Sequence, residues 1–189
     1  MATQPDPATI PPAMALRLAR DNQEYGRKLA GHEFQAALAE LRNPRVFELS
    51  IDFPNDPAPD LRLPLLSSPE ELRHMPRLNV TLGSTAWHIA PEGLPVIGIY
   101  CPDEPHEVWR AALTTLLTAH YIEPFARFVF LCSGFRLVPF LGRYQFVYEM
   151  LGPQQPLDTT RRLETRFGMK ELRHLVTADS LWRAPSSEG

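Results

Sequence analysis

The sequence predicts one α+β domain: an N-terminal helix, an antiparallel meander sheet, a central helix packed on that sheet and a divergent C-terminal extension. Three observations carry this expectation. Apolar residues recur at helical spacing between residues 12 and 42. Several short strand-like runs lie between residues 46 and 101 with no long helical pattern between them, which points to an antiparallel arrangement. A broad apolar helical pattern then runs from about Pro105 to Ile122.

With 189 residues, 44% hydrophobic and 22% charged, the chain can bury one sizeable core without needing a second domain. The division expected is a disordered leader at 1–10, a main domain at 11–152, and a helical C-terminal extension with a polar tail at 153–189. A net charge of −3 provides no basic footprint, which argues against nucleic acid or an anionic membrane as partner. No apolar run approaches the roughly 18 residues of a membrane span. The first residues lack the basic-then-apolar order of a signal peptide, so a cytoplasmic location is expected.

The N-terminal helix, about 12–42, is read from Leu18, Tyr25 and Leu29, then Phe34, Leu38 and Leu41, with Gly26 and Gly31 as a weak point that leaves one long helix or two short ones open. Pro44 ends it. Residues 46–53 alternate apolar and polar as a half-buried strand does, and 61–66, 78–82 and 85–89 are shorter strand candidates. Eleven of the 20 prolines fall between Pro44 and Pro105, which keeps every element there short. After the central helix, Glu123-Pro124 is a stop signal. The aromatic-rich stretch 125–151 holds eight of the 18 aromatics and reads equally as strand or helix. Residues 158–182, rich in Arg and Glu, read as helical segments.

Two cysteines in a reducing compartment argue for separate thiols rather than a disulfide. Cys132 follows Phe128-Val129-Phe130-Leu131 and reads as a buried small hydrophobe. Cys101 ends the apolar run Val96-Ile97-Gly98-Ile99-Tyr100 and has Asp103, Glu104 and His106 close by, so it is the candidate reactive group. His88, His106 and His120 form no pairs at zinc-site spacing with the cysteines, so no metal is expected, and no cofactor motif is present.

In order, Phe53-Pro54, the cluster Pro57-Ala58-Pro59, His88 ahead of Gly98-Ile99-Tyr100-Cys101, and Trp109-Arg110-Ala111-Ala112-Leu113-Thr114 resemble a ubiquitin-conjugating enzyme over about residues 34–123. The resemblance implies that Cys101 accepts a ubiquitin-like protein as a thioester from an activating enzyme docked on the N-terminal helix, about 12–42, and passes it to an amine of a protein target. The sequence looks like the divergent bacterial relatives of that family found in ubiquitin-like conjugation operons, a resemblance that implies a role in antiphage defence. The family's asparagine after the histidine is replaced here by Ile89-Ala90, which makes His106 the candidate oxyanion donor or base. Asp103 is the candidate for orienting or deprotonating the amine; His88 completes the candidate catalytic set with Cys101, His106 and Asp103, and with Trp109 is expected to hold the loop. Two alternatives stay open: a non-catalytic binding module of the same shape, and a sulfurtransferase using Cys132-Ser133-Gly134-Phe135-Arg136 as an anion loop.

Overall fold

The computed structural model describes residues 12–43, 77–78, 80, 93–151 and 155–185. The strand candidates at 46–53, 61–66 and 85–89, the leader and the proline cluster lie outside the described residues. So does 78–82 apart from Leu78 and Val80, neither of which is in a strand.

The N-terminal helix is continuous: α1 spans Pro12–Arg42 and passes through Gly26 and Gly31 without a break. The chain then alternates strand and helix. β1 (Val96–Cys101) leads into α2 (His106–Ile122), and β2 (Arg127–Cys132) into α3 (Val138–Arg143). β3 (Val147–Met150) is followed by a 3₁₀ turn and α4 (Thr160–Phe167), and β4 (Met169–His174) turns back into β5 (Ser180–Arg183). The five strands lie in the order β3-β2-β1-β4-β5.

The expected antiparallel meander is not what the described sheet shows. β1 pairs in parallel with both β2 and β4, β2 pairs in parallel with β3, and only β4–β5 is antiparallel. The physical reason lies in the strands themselves. Val96–Cys101 and Arg127–Cys132 are buried almost along their whole length, and strands covered on both faces are joined by helical crossovers rather than hairpins. A second correction concerns 158–182, where only Thr160–Phe167 is helical after the short 3₁₀ turn. The rest supplies β4 and β5 to the same sheet as β1. The stretch 125–151, read equally as strand or helix, is β2, α3 and β3 in turn.

Helices cover both faces. Ile97, Ile99, Phe128 and Phe130 pack with α1, α2 and α3 in one core, whereas Val96, Val129, Leu131 and Leu172 pack with Leu163 and Phe167 of α4 in the other. α1 reaches the first core only with its C-terminal half, through Ala30, Phe34, Ala37, Leu38 and Leu41, and Phe34 stacks on Tyr121 of α2 at 4.0 Å. The end of α1 is held from α2: the Arg110 guanidinium donates to the carbonyls of Leu41 and Arg42, a cation satisfying the last carbonyls of a helix. Glu40 accepts from Arg143 and from the Tyr144 hydroxyl at 2.9 Å, tying α1 to α3.

Two glycines are required by geometry. Gly168 ends α4 in the left-handed conformation at φ 68°, with its N–H on the Glu164 carbonyl. Gly98, in the middle of β1, leaves no room for a side chain: a Cβ there would lie 2.5 Å from Met169 Sδ and 2.9 Å from a Leu172 methyl, both buried. Gly98→Ala is therefore expected to destabilise the protein by about 1–3 kcal/mol through overpacking. A urea titration measures this, and an unchanged midpoint would show that Met169 moves aside without cost.

Burial, followed by the bond to Glu40 and the nearby carboxylate charge, pushes the Tyr144 phenol up to about 12. A phenol held above its unfolded value of ~10 favours the folded state below that value, and the contribution is lost as pH climbs from about 10 to 12. Wild type is expected to lose stability over that window more steeply than Tyr144→Phe, as read from urea midpoints at pH 9, 10 and 11. Parallel curves would contradict the Glu40–Tyr144 coupling.

Candidate functional site

The carboxyl ends of the parallel strands gather at one edge of the sheet, and β1 sits where the connections part. From β1 the chain runs outward through α2 to β2 and through α3 to β3; it then crosses the opposite face through α4 and adds β4 on β1's other side. In open sheets of this kind the diverging connections leave a crevice at the carboxyl ends of the two strands flanking the reversal. Here those strands are β1 and β4, ending at Cys101 and His174.

Of the sequence-predicted residues, Cys101, Asp103 and His106 lie at or just beyond β1's end, but not as an exposed thiol with attendant acid and base. Cys101 is 1% exposed, lies in the core under α1 and α2, and is the register partner of the equally buried Cys132. Its thiol donates weakly to the Ile99 carbonyl at 3.5 Å. Burial, with Cys132 adding to it, pushes the thiol well above the ordinary range, because a thiolate there would lack water and countercharge. Cys101 is thus structured as a small apolar core residue and not as the exposed thiol expected from its loop neighbours.

His106 is the first residue of α2, and its Nε2 lies 3.1 Å from a Glu107 carboxylate oxygen. Asp103 is exposed and lies against the β2–α3 loop, so close that a Cβ on Gly134 would sit 2.9 Å from its Oδ1. His88 lies outside the described residues. Trp109 does what was expected of it: buried under the loop, its indole N–H donates to the Pro102 carbonyl at 2.8 Å and fixes the chain leaving β1 onto α2. Around the Cys132–Arg136 run, Ser133 N–H donates to the Cys101 carbonyl at 3.0 Å and its hydroxyl lies 3.3 Å from Tyr100 OH, so that loop is bound to β1.

The site that sequence reasoning missed lies on the α2 side of the reversal. A cavity of about 720 Å³ is bounded by Ile99 of β1, by one wall of α2 including Val108, Ala112 and Leu116, by Phe125, and by the end of β4 with Leu175 and Val176. Its polar groups are few. Glu107 and Thr115 stand on α2, and Arg173 and His174 on β4. Arg173 donates to Glu171 at 2.9 Å and its guanidinium carbon lies 6.0 Å from the centre of the Phe125 ring. His174 Nδ1 accepts the N–H groups of Val176 and Thr177 at 3.2 and 3.3 Å, which places the proton of the neutral ring on Nε2 and shapes the turn to β5. The ring also meets Tyr100 edge-on at 5.5 Å. Among the described residues no group of three or more His, Cys, Asp or Glu is placed to hold a metal ion, and no helix is long and apolar enough to cross a membrane.

The burial of Cys101 generates a direct expectation. In the folded protein it should react with iodoacetamide at pH 8 roughly tenfold or more slowly than after denaturation, with a rate that rises only above the ordinary thiol pKa of ~8.5. Peptide mass spectrometry after timed quenching resolves Cys101 from Cys132. Fast labelling of native Cys101 below that pH would instead reinstate it as an acyl acceptor.

Comparison with protein-family models, with curated proteins and with solved structures finds no match for this chain.

Proposed function

We propose that this chain is a binding module that holds a small, mostly apolar molecule in the cavity between α2 and the end of β4. The observation that supports it is a coincidence of place. The cavity lies on the α2 face at the reversal of strand order; it begins at Glu107 and His174, by the carboxyl ends of β1 and β4 where the connections of an open α/β sheet diverge, and runs along α2 to Ala119 and Phe125. Its volume of about 720 Å³ suits a small ligand, since such sites run from roughly 300 to 1,000 Å³, and a mainly apolar wall with a few polar groups is what they present. Two free cysteines accord with a cytoplasmic setting, where thiols stay reduced.

The transferase reading keeps its support in the order of motifs over residues 34–123: a ubiquitin-like protein carried on Cys101, an activating enzyme docked on α1 and a protein target receiving the product. The buried thiol weighs toward the non-catalytic alternative, in which the chain binds without carrying an acyl group, whereas the mostly parallel sheet departs from the antiparallel meander expected under both readings. The alkylation rate of Cys101 decides between them.

The binding reading is tested with a neutral polarity-sensitive dye. Ala111 is exposed at the cavity wall, so Ala111→Trp is expected to fill the mouth while leaving the core intact. Wild type should bind one dye with a blue-shifted emission, and the variant should bind it at least roughly tenfold more weakly with an unchanged urea midpoint. Equal binding by both proteins, or none by either, would contradict the proposal.

A further inference from the structure

The balance of charge at the cavity wall says more about the ligand than its volume does. Glu171 is 12% exposed and accepts from Arg173 at 2.9 Å and from Arg183 at 3.2 Å. One carboxylate is shared by two guanidinium groups, which leaves a surplus positive charge on this part of β4 and β5. Burial of Glu171 works against its ionisation, but the bonds from Arg173 and Ser180 outweigh it and hold the carboxyl below its usual range. Of the two arginines, Arg173 lines the cavity. Its guanidinium is held on one side by Glu171 and lies over the Phe125 ring, and a guanidinium has five N–H donors, more than one carboxylate oxygen uses.

The acidic residue at the cavity, Glu107, is less well placed to act on a ligand. Its side chain is 69% exposed and already meets His106, so water screens most of its charge. The Arg173 side chain is 36% exposed and fixed by its partners, so its field is less screened and its orientation is set in advance. The remaining wall is apolar on both the helix and the strand side, with Val108, Ala112 and Leu116 facing Leu175 and Val176.

Resting on the binding reading above, we infer that the cavity takes an apolar monocarboxylate, with its carboxylate on Arg173 and its hydrocarbon body along α2. The acid group would receive charge-assisted bonds from donors that Glu171 leaves unused, and the tail would leave water for the alanine, valine and leucine wall. No covalent step is involved.

Three ten-carbon probes with the same tail test it by isothermal titration: decanoate, decanol and decyltrimethylammonium. Wild type is expected to bind decanoate roughly tenfold to a hundredfold more tightly than decanol, the usual span of a hydrogen bond to a charged group. Arg173→Gln should abolish the preference for decanoate over decanol, with a cooperative urea transition reporting that the variant is folded. Arg173→Lys should keep part of the preference. If decanoate and decanol bind wild type equally, the cavity still binds apolar molecules but the carboxylate inference is overturned. Preference for the ammonium probe overturns it in favour of Glu107. Binding of none of the three overturns both this inference and the reading beneath it.

Discussion

β1 is hydrogen-bonded along both edges and covered on both faces, and the rest of the structure depends on that enclosure. Its neighbours β2 and β4 run parallel to it, so each must be reached by a crossover. The two crossovers depart in opposite directions, and helices therefore cover both sides of the sheet. The fit is tight at one point above all, where Gly98 lets Met169 and Leu172 of β4 close over the strand. Because the strand is sealed, its last residue is sealed too. A cysteine at the end of an edge strand would meet water, but Cys101 at the end of the central strand meets α1, α2 and Cys132.

α2 links that core to the rest of the chain, and its residues divide by direction. Trp109 reaches back to Pro102 and fixes the chain leaving β1; Arg110 reaches out to the last carbonyls of α1; Leu113 and Leu117 enter the core. The side with Val108, Ala111, Ala112 and Leu116 borders the cavity instead. Alanines occupy much of that side, and their short side chains leave the space open. Among the described residues the N-terminal half of α1 makes no such contacts. Residues 12–29 are exposed, with Tyr25 and Leu29 at 70% and 60%. Tertiary packing, the main source of helical stability in proteins, begins in this helix only at Ala30.

The elements legible in the sequence were those whose signal is local. α1 and α2 announce themselves by apolar spacing and by Pro124, and the structure places them within a residue or so of the expected ends. Sheet direction was not legible in the same way, because parallel pairing joins segments far apart in the chain. The informative sign was available in the unbroken apolar runs Val96-Ile97 and Phe128-Val129-Phe130-Leu131, which mark strands buried on both faces. β4 was hidden by composition. In Met169-Lys170-Glu171-Leu172-Arg173-His174 the charged residues suit a helix surface, yet Met169 and Leu172 are buried and a register shift beside Ile97 places Lys170 outward. Tertiary context decided that segment, as it commonly does for half-buried strands.

The same distinction explains why the candidate site moved. Cys101 drew attention because its sequence neighbours are titratable, but titratable neighbours matter only if they face the same space. Asp103 turns toward Gly134, His106 meets Glu107, and the thiol points into the core, so proximity along the chain does not become proximity in chemistry. The cavity reverses this relation. Arg173 and Phe125 are distant in sequence and adjacent in space, brought together because the connection from β3 through α4 crosses the opposite face and sets β4 beside β1. A cavity assembled by a crossover leaves no motif in either contributing segment. What the segments do carry is their separate necessities: alanines that keep α2 narrow, and an arginine whose carboxylate partner is shared with a second cation.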